Sequence, residues 1–272
     1  MSGLITDEKI FELLQNVYQR TGFDYRDYAT LSIKRRIQDA MDIERIKSLD
    51  DMSQHIFKSD AAMKKFILTL SVPTTTLFRD PEVYNCIRNK VLPRLSNTSI
   101  RIWSTGCSSG EEPYSLSITT KEEGLAKYTR IYATDLNESS IETAKKGIFK
   151  LSIMQEYTSN YHLAGGAFDF SDYYTSGYGW AKFHDDIKEN LVFSQHNLVT
   201  DSSFNEFNLI LCRNVMIYFN KDLQDKVHAL LFQSLAPGGY LVLGDKENIR
   251  FTPFENAYKA VSPILKIYQK ME

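Results

Sequence analysis

From Thr6 to Leu70 apolar residues recur at intervals of three and four: Ile10, Leu13, Leu14 and Val17 make one stripe, and Phe57, Met63, Phe66, Ile67 and Leu70 make later ones. No strand-like alternation interrupts them, which predicts a small domain of about four helices. Thr6 before Asp7 and Glu8, and Ser48 before Leu49 and Asp50, have the form of N-caps followed by acidic first turns. The last helix is expected to stop near Ser71, because Pro73 disfavours helical backbone in the residue before it.

After Pro73 the pattern changes. Short apolar runs at Ile100 to Ser104, Ile131 to Thr134, Leu191 to Ser194, Phe207 to Cys212 and Tyr240 to Leu243 alternate with helix-length stretches such as Glu112 to Glu123, Ser139 to Lys146 and Leu223 to Leu235. That rhythm predicts a doubly wound α/β domain, a parallel sheet covered on both faces, over residues 73–272, with 1–72 as the helical domain. A final alternating run, Ile264 to Tyr268, is expected as an edge strand. Phe168 to Lys188, rich in Tyr, Phe, Gly and Asp, breaks the rhythm and is expected to form an inserted antiparallel hairpin subdomain at about 168–190. A surface loop is the alternative there.

Composition narrows the function classes. The 272 residues are 43% apolar and 24% charged, an ordinary globular balance that excludes disordered, collagenous and coiled-coil chains. Lys plus Arg number 32 against 34 Asp plus Glu, so no global field draws the chain to nucleic acid or anionic lipid, and charged partners must be recognised locally. Cys86, Cys107 and Cys212 are odd in number and widely spaced, giving neither a disulfide framework nor a zinc pattern. The N-terminal residues lack the basic-then-apolar order of a secretory signal, and no apolar run approaches the roughly 20 residues that span a bilayer. A cytoplasmic protein without membrane insertion, and without a metal, is expected.

In an open parallel sheet, ligands bind beyond the carboxyl ends of the strands, so the loops after the first strands carry the chemistry. The first is Thr105-Gly106-Cys107-Ser108-Ser109-Gly110-Glu111-Glu112-Pro113. It is no phosphate loop: GxGxxG is absent, no Lys-Ser/Thr follows, and two carboxylates occupy the helix start where a phosphate would sit. The second strand ends Ala133-Thr134-Asp135, where a carboxylate can accept hydrogen bonds from the ribose hydroxyls of a nucleoside. Helix capping is the alternative for Glu112 and for Asp135. Together, a glycine loop with carboxylates and a strand-end Asp suit a nucleoside with a cationic tail. S-adenosylmethionine fits that description better than NAD, whose pyrophosphate has nothing to meet it.

Four longer segments make the pattern specific: Thr75-Thr76-Leu77-Phe78-Arg79-Asp80-Pro81, Arg101 to Ser115, Ala133-Thr134-Asp135-Leu136, and Cys212-Arg213-Asn214-Val215-Met216-Ile217-Tyr218-Phe219. In order and spacing, over nearly the whole chain, the sequence resembles the CheR family of chemotaxis receptor methyltransferases. The Lys34-Arg35-Arg36 stretch, the change of texture at Pro73, the inserted hairpin and Gly244-Asp245-Lys246-Glu247-Asn248 fit the same resemblance.

The resemblance implies an all-helical N-terminal domain followed by a Rossmann-like class I S-adenosylmethionine-dependent methyltransferase domain with an antiparallel β-subdomain insertion. It implies methyl transfer to glutamate carboxylates on the cytoplasmic helices of methyl-accepting chemoreceptors, leaving S-adenosylhomocysteine. By similarity, Thr75, Arg79, Glu112, Asp135, Asn197, Leu198 and Arg213 line the cofactor, with Arg79 and Tyr218 beside the transferred methyl. A Glu carboxylate, with a reference pKa of about 4.3, is already a nucleophile at neutral pH, so orientation and charge neutralisation are needed rather than a general base. Arg79 and Tyr218 suit that positioning role. Three positions depart from the family pattern: Pro73 where many relatives carry Asn, Asn208 in place of an acidic residue, and Asp245-Lys246 in place of His-Ser.

As partners, a basic stripe from Lys34 to Arg36 is expected to dock the acidic receptor helices, modestly because Asp39, Asp42 and Glu44 lie nearby. The hairpin insertion is a candidate for capturing a receptor C-terminal peptide by strand addition. A monomer is expected. Two other readings stand beside these: a catalytically silent S-adenosylmethionine-binding regulator of the same fold, and a methyltransferase of another substrate. Against a nucleic-acid base as that substrate, no Asn/Asp-Pro-Pro-aromatic motif occurs.

Overall fold

The computed structural model describes residues 6–70, 75–95 and 99–271. Two compact units emerge: residues 1–72 with 217–227, and 73–216 with 228–272. The expected stop at Ser71 and the Pro73 departure lie outside the described residues.

The first unit holds four helices, α1 (Asp7–Thr21), α2 (Thr30–Glu44), α3 (Leu49–Lys58) and α4 (Asp60–Leu70). Both expected caps form: the hydroxyl of Thr6 accepts from the Lys9 amide, and that of Ser48 from the Asp51 amide at 3.1 Å. The stripe Ile10, Leu13, Leu14 and Val17 is buried, as are Met63, Phe66, Ile67 and Leu70, with α4 against α2 and α3. Apolar periodicity thus decides which faces close on each other. Residues 217–227 join this unit through Tyr28, whose ring meets Phe219 edge-on at 5.0 Å, and through the Ala29 amide, which donates to the Tyr218 carbonyl at 2.8 Å.

The second unit opens with α5 (Pro81–Cys86), a π-helical turn at Ile87–Val91 and α6 (Leu92–Leu95). Its main sheet contains β1 (Ile100–Thr105), β2 (Thr129–Asp135), β6 (Leu191–Gln195), β7 (Phe207–Cys212), β8 (Leu235–Leu243), β9 (Tyr258–Ser262) and β10 (Ile267–Lys270). Their order is β6-β2-β1-β7-β8-β10-β9; the first five run parallel, while β10 is antiparallel to β8 and β9 to β10. Helices α7 (Glu111–Glu122), α8 (Glu138–Lys146) and α11 (Lys221–Ser234) alternate with the parallel strands. From β1 the chain winds outward through β2 to β6, then returns to β7 on the other side of β1. The switch point therefore falls between β1 and β7, with a crevice beyond their carboxyl ends. The run expected as an edge strand at Ile264 to Tyr268 begins only at Ile267 and lies inside the sheet; the edge is β9, which the alternation pattern did not announce.

The insertion is a three-stranded antiparallel sheet ordered β3-β5-β4, from β3 (Ile148–Lys150), β4 (Tyr174–Gly177) and β5 (Trp180–Phe183). The 168–188 segment does form a hairpin, with Tyr178 and Gly179 at φ 50° and 81° in its two-residue turn. Ile148–Lys150 is a third strand drawn from outside that segment. Helix α9 (Met154–Leu163) lies between β3 and β4, and α10 (Asp185–Lys188) follows β5. A buried network ties the insertion to the main sheet's helices: Glu122 at the end of α7 pairs with Arg88 and accepts from the hydroxyls of Tyr161 and, at 2.6 Å, Tyr173. Such charge-assisted bonds, shielded from water, fix relative position more firmly than exposed pairs do.

Candidate functional site

The site grows from the loops at the carboxyl end of the sheet. Glu112 stands in the first turn of α7, where the helix dipole favours a carboxylate. Its Oε1 accepts from the Ser104 hydroxyl at 2.8 Å, and its Oε2 lies 3.4 Å from Nη1 of Arg213. Arg213 follows β7 directly, with a side chain only 2% exposed. Its Nη2 donates to the Arg79 carbonyl at 3.1 Å and to Asp80 at 2.5 Å. Arg79, Glu112 and Arg213 are thus brought together across the switch point. Burial raises the Glu112 pKa, while Arg213, Ser104 and the more distant charge of Arg79 oppose that rise. Burial also works against the Arg213 charge, but Tyr84, Glu112 and Asp80 more than offset it and hold the guanidinium above its ordinary range.

Asp135 ends β2. It does not cap α8; Asn137 does, accepting from the Ser139 amide at 2.9 Å. The Asp135 carboxylate instead bridges two loops, accepting from the Ser108 amide and the Asn137 amide, each at 2.8 Å. Each oxygen keeps a second lone pair for a further donor. Burial raises its pKa and the two amides oppose the rise. The neighbouring acid of the first loop, Glu111, is spent internally: it accepts from Ser109 and Tyr157, tying the loop to α9. Of two adjacent carboxylates, then, one is structural and the other faces an arginine.

Strained backbone clusters in these loops. Phe78, Asp80, Ser108 and Asn214 all have φ between 51° and 60°, a left-handed region unfavourable to non-glycine residues. Gly106 is needed where the first loop meets the loop after β7: a Cβ there would lie 2.6 Å from Cγ2 of Val215. Thr75 is half-buried just before Leu77, next to Thr76, whose hydroxyl donates to Glu156 at 2.9 Å. Asn197 and Leu198 are half-buried in the loop after β6, where Asn197 Oδ1 accepts from the Val199 amide at 2.9 Å. Tyr218 belongs to the helical unit, with the Arg36 guanidinium 4.3 Å from its ring centre.

That last contact corrects one expectation. Arg36 is 2% exposed and donates to the Leu70 carbonyl at 2.5 Å, so it is an internal strut of the helical unit rather than part of a basic docking stripe. Lys34 is half-buried and Arg35 exposed. The Asn208 departure also finds a local use, its Oδ1 accepting from the Arg101 amide at 2.8 Å.

The second unit matches the family description "CheR methyltransferase, SAM binding domain" over residues 73–262, and the first matches "CheR methyltransferase, all-alpha domain" over residues 9–71. The chain belongs to the CheR methyltransferase family. A Pseudomonas putida protein provisionally named as the methyltransferase Cher3 is 40% identical over 97% of both chains. The chemotaxis protein methyltransferase of Listeria monocytogenes is 29% identical over 89% of this chain and 91% of its own. Chemotaxis protein methyltransferase 1 of Pseudomonas aeruginosa is 30% identical over the same shares.

The residues of this CheR-family site fit S-adenosylmethionine. Two half-buried carboxylates, Glu112 and Asp135, stand at adjacent loops, and groups of that chemistry suit a cationic tail and ribose hydroxyls. Ser108 Oγ and Asn214 Oδ1 are buried without a hydrogen-bond partner among the described residues, a cost that a polar ligand would relieve. Asp80 and Glu247 carry site geometry that sequence reasoning did not assign. No spacing rule announces either, because their partners lie 133 residues and about 30 residues away.

Proposed function

We propose that this S-adenosylmethionine-dependent methyltransferase esterifies glutamate side chains on the cytoplasmic helices of chemoreceptors. One observation carries the reading: Arg79 and Arg213 meet at the switch point through the Arg79 carbonyl, beside an acidic wall made by Glu112 and Asp135. Such a site presents opposite charges to two different ligands. The names of relatives that are chemotaxis methyltransferases over nearly their full length support the receptor as substrate.

The chemistry asks little proton movement of the protein. S-adenosylmethionine supplies an electrophilic methyl group on a sulfonium centre. Glu112 and Asp135 offer carboxylate oxygens to cationic and hydroxyl groups of the cofactor, with Thr75, Asn197 and Leu198 as further lining. Arg79 neutralises and orients the incoming glutamate, whose carboxylate is ionised at neutral pH. Arg213, gripped by Asp80 and Glu112, fixes the Arg79 backbone from which that side chain projects. Tyr218 enters through the family resemblance alone, as a hydrogen-bond donor to the reacting groups. Strand β4, exposed along one edge of the small sheet, suits addition of a receptor peptide as a further strand. The reading places the protein in the cytoplasm as a monomer.

The test is incubation of the purified protein with methyl-labelled S-adenosylmethionine and chemoreceptor-containing membranes, followed by alkaline treatment. Release of volatile labelled methanol, lost in Arg79→Ala, is expected. Label that stays bound after alkali would assign a different acceptor.

A further inference from the structure

Glu247 lies in the loop after β8 and is 5% exposed, yet its carboxylate meets no cationic side chain among the described residues. It is surrounded instead by backbone. Oε1 accepts from the amides of Val215 at 2.9 Å and Met216 at 2.8 Å; Oε2 accepts from Asn214 at 3.0 Å and Gly244 at 2.7 Å. We infer that Glu247 is a positioning residue for methyl transfer, acting by clamping the loop that aims Arg213. This rests on the function proposed above.

The geometry explains why the clamp reaches Arg213. Three consecutive amides, 214 to 216, converge on one carboxylate, forming an anion-binding concavity in the backbone. Asn214 holds φ 60°, a conformation that a loop left to itself rarely keeps. Gly244 lets the β8 loop approach: a Cβ would lie 2.7 Å from Glu247 Oε2 and 2.8 Å from the Asn214 nitrogen. Arg213 is therefore held on both sides, by the ladder at Cys212, which pairs with Thr105 and Leu243, and by the clamp starting at Asn214. Only with that backbone fixed can one guanidinium reach Asp80, Glu112 and the Arg79 carbonyl together. A glutamine at 247 has the same shape but replaces one acceptor by a donor, which would face two amide N–H groups.

A double-mutant cycle tests this in the full-length protein, using Glu247→Gln, Arg213→Gln and both together. Initial rates of transfer to receptor membranes and the dissociation constant for S-adenosylmethionine are measured on protein shown to be folded by near-ultraviolet circular dichroism. If Glu247 acts through Arg213, Glu247→Gln lowers turnover by about tenfold or more in the wild-type background. In the Arg213→Gln background it then has less than about a twofold effect. A Glu247 role confined to folding would lower activity by the same factor in both backgrounds, and that result overturns the inference. Should Glu247→Gln fail to fold, Gly244→Ala opens the same clamp and is read in the same cycle. Absence of transfer by the wild-type protein would count against the proposed function; the cycle in cofactor affinity still decides the clamp by the same two patterns.

Discussion

Nη1 of Arg213 lies 3.4 Å from Oε2 of Glu112, joining the loop after β7 to the first turn of α7 at the point where the sheet reverses its winding. The arginine is 2% exposed and the glutamate 14%, so the pair is shielded from solvent, although Asp80 on the other side of the guanidinium is half in water. Removing one partner of such a pair leaves a desolvated charge without compensation. Arg213→Met should therefore lower stability by about 3 kcal/mol, reduced somewhat by the exposure of Asp80, and should raise the dissociation constant for S-adenosylmethionine. Urea unfolding and titration calorimetry measure the two effects separately.

Acid should weaken cofactor binding sooner than ordinary carboxylates would. The pKa values of Glu112 and Asp135 are both raised by burial. A cationic ligand favours their ionised forms, so affinity is full above those raised values and falls as pH drops through them. For the protein without cofactor the sign is opposite: an acid with a raised folded pKa contributes stability below its unfolded pKa, and that contribution is lost as pH rises through the folded pKa. Mild acidification should thus favour the unliganded fold while weakening the complex. Calorimetric titrations from neutral to acidic pH check this, and Glu112→Gln should flatten the curve.

Arg79 contributes its carbonyl to Arg213, and its guanidinium is the group proposed to meet the acceptor carboxylate. Arg79→Ala is expected to lower kcat by about a hundredfold with a melting temperature close to wild type, since it removes orientation and charge neutralisation at the acceptor. Arg79→Lys should recover only part of the rate, because a point charge lacks the fork that holds a carboxylate. Initial-rate measurements beside thermal unfolding decide it.

In the helical unit the two neighbours Arg35 and Arg36 should behave oppositely. Arg36→Met removes a bond to the Leu70 carbonyl and a cation–π contact with Tyr218, and is expected to cost about 2 kcal/mol. Arg35→Ala, at an exposed position, should change stability by less than about 0.5 kcal/mol. If basic residues of α2 assist receptor docking, only Arg35→Ala should weaken transfer in a salt-dependent way without unfolding the unit. Chemical denaturation and rates at two salt concentrations separate these outcomes.

How much of this was legible in the chain follows from what each signal encodes. Apolar periodicity marked the four N-terminal helices, which bury one stripe, and short apolar runs marked the five parallel strands, including β6 at the sheet edge, which is left partly exposed. It missed β3 and β9, short strands at or near sheet edges whose burial is too incomplete to leave a pattern. Periodicity also placed Arg36 beside Lys34 and Arg35, but a long side chain can turn inward, and three adjacent cations do not reveal which one does. Glu111 and Glu112 stand side by side in sequence, and only tertiary partners separate the strut from the residue facing Arg213. Asp80 and Glu247 were visible as letters within motifs; their roles depend on chain segments far away.

The most direct measurement is mass-spectrometric mapping of a receptor cytoplasmic fragment after incubation with this protein and S-adenosylmethionine. Methyl groups on glutamate side chains, removed by alkali and absent with Arg79→Ala, are the predicted result. Methyl groups on nitrogen, or none on the fragment while another acceptor is labelled, would contradict glutamate esterification.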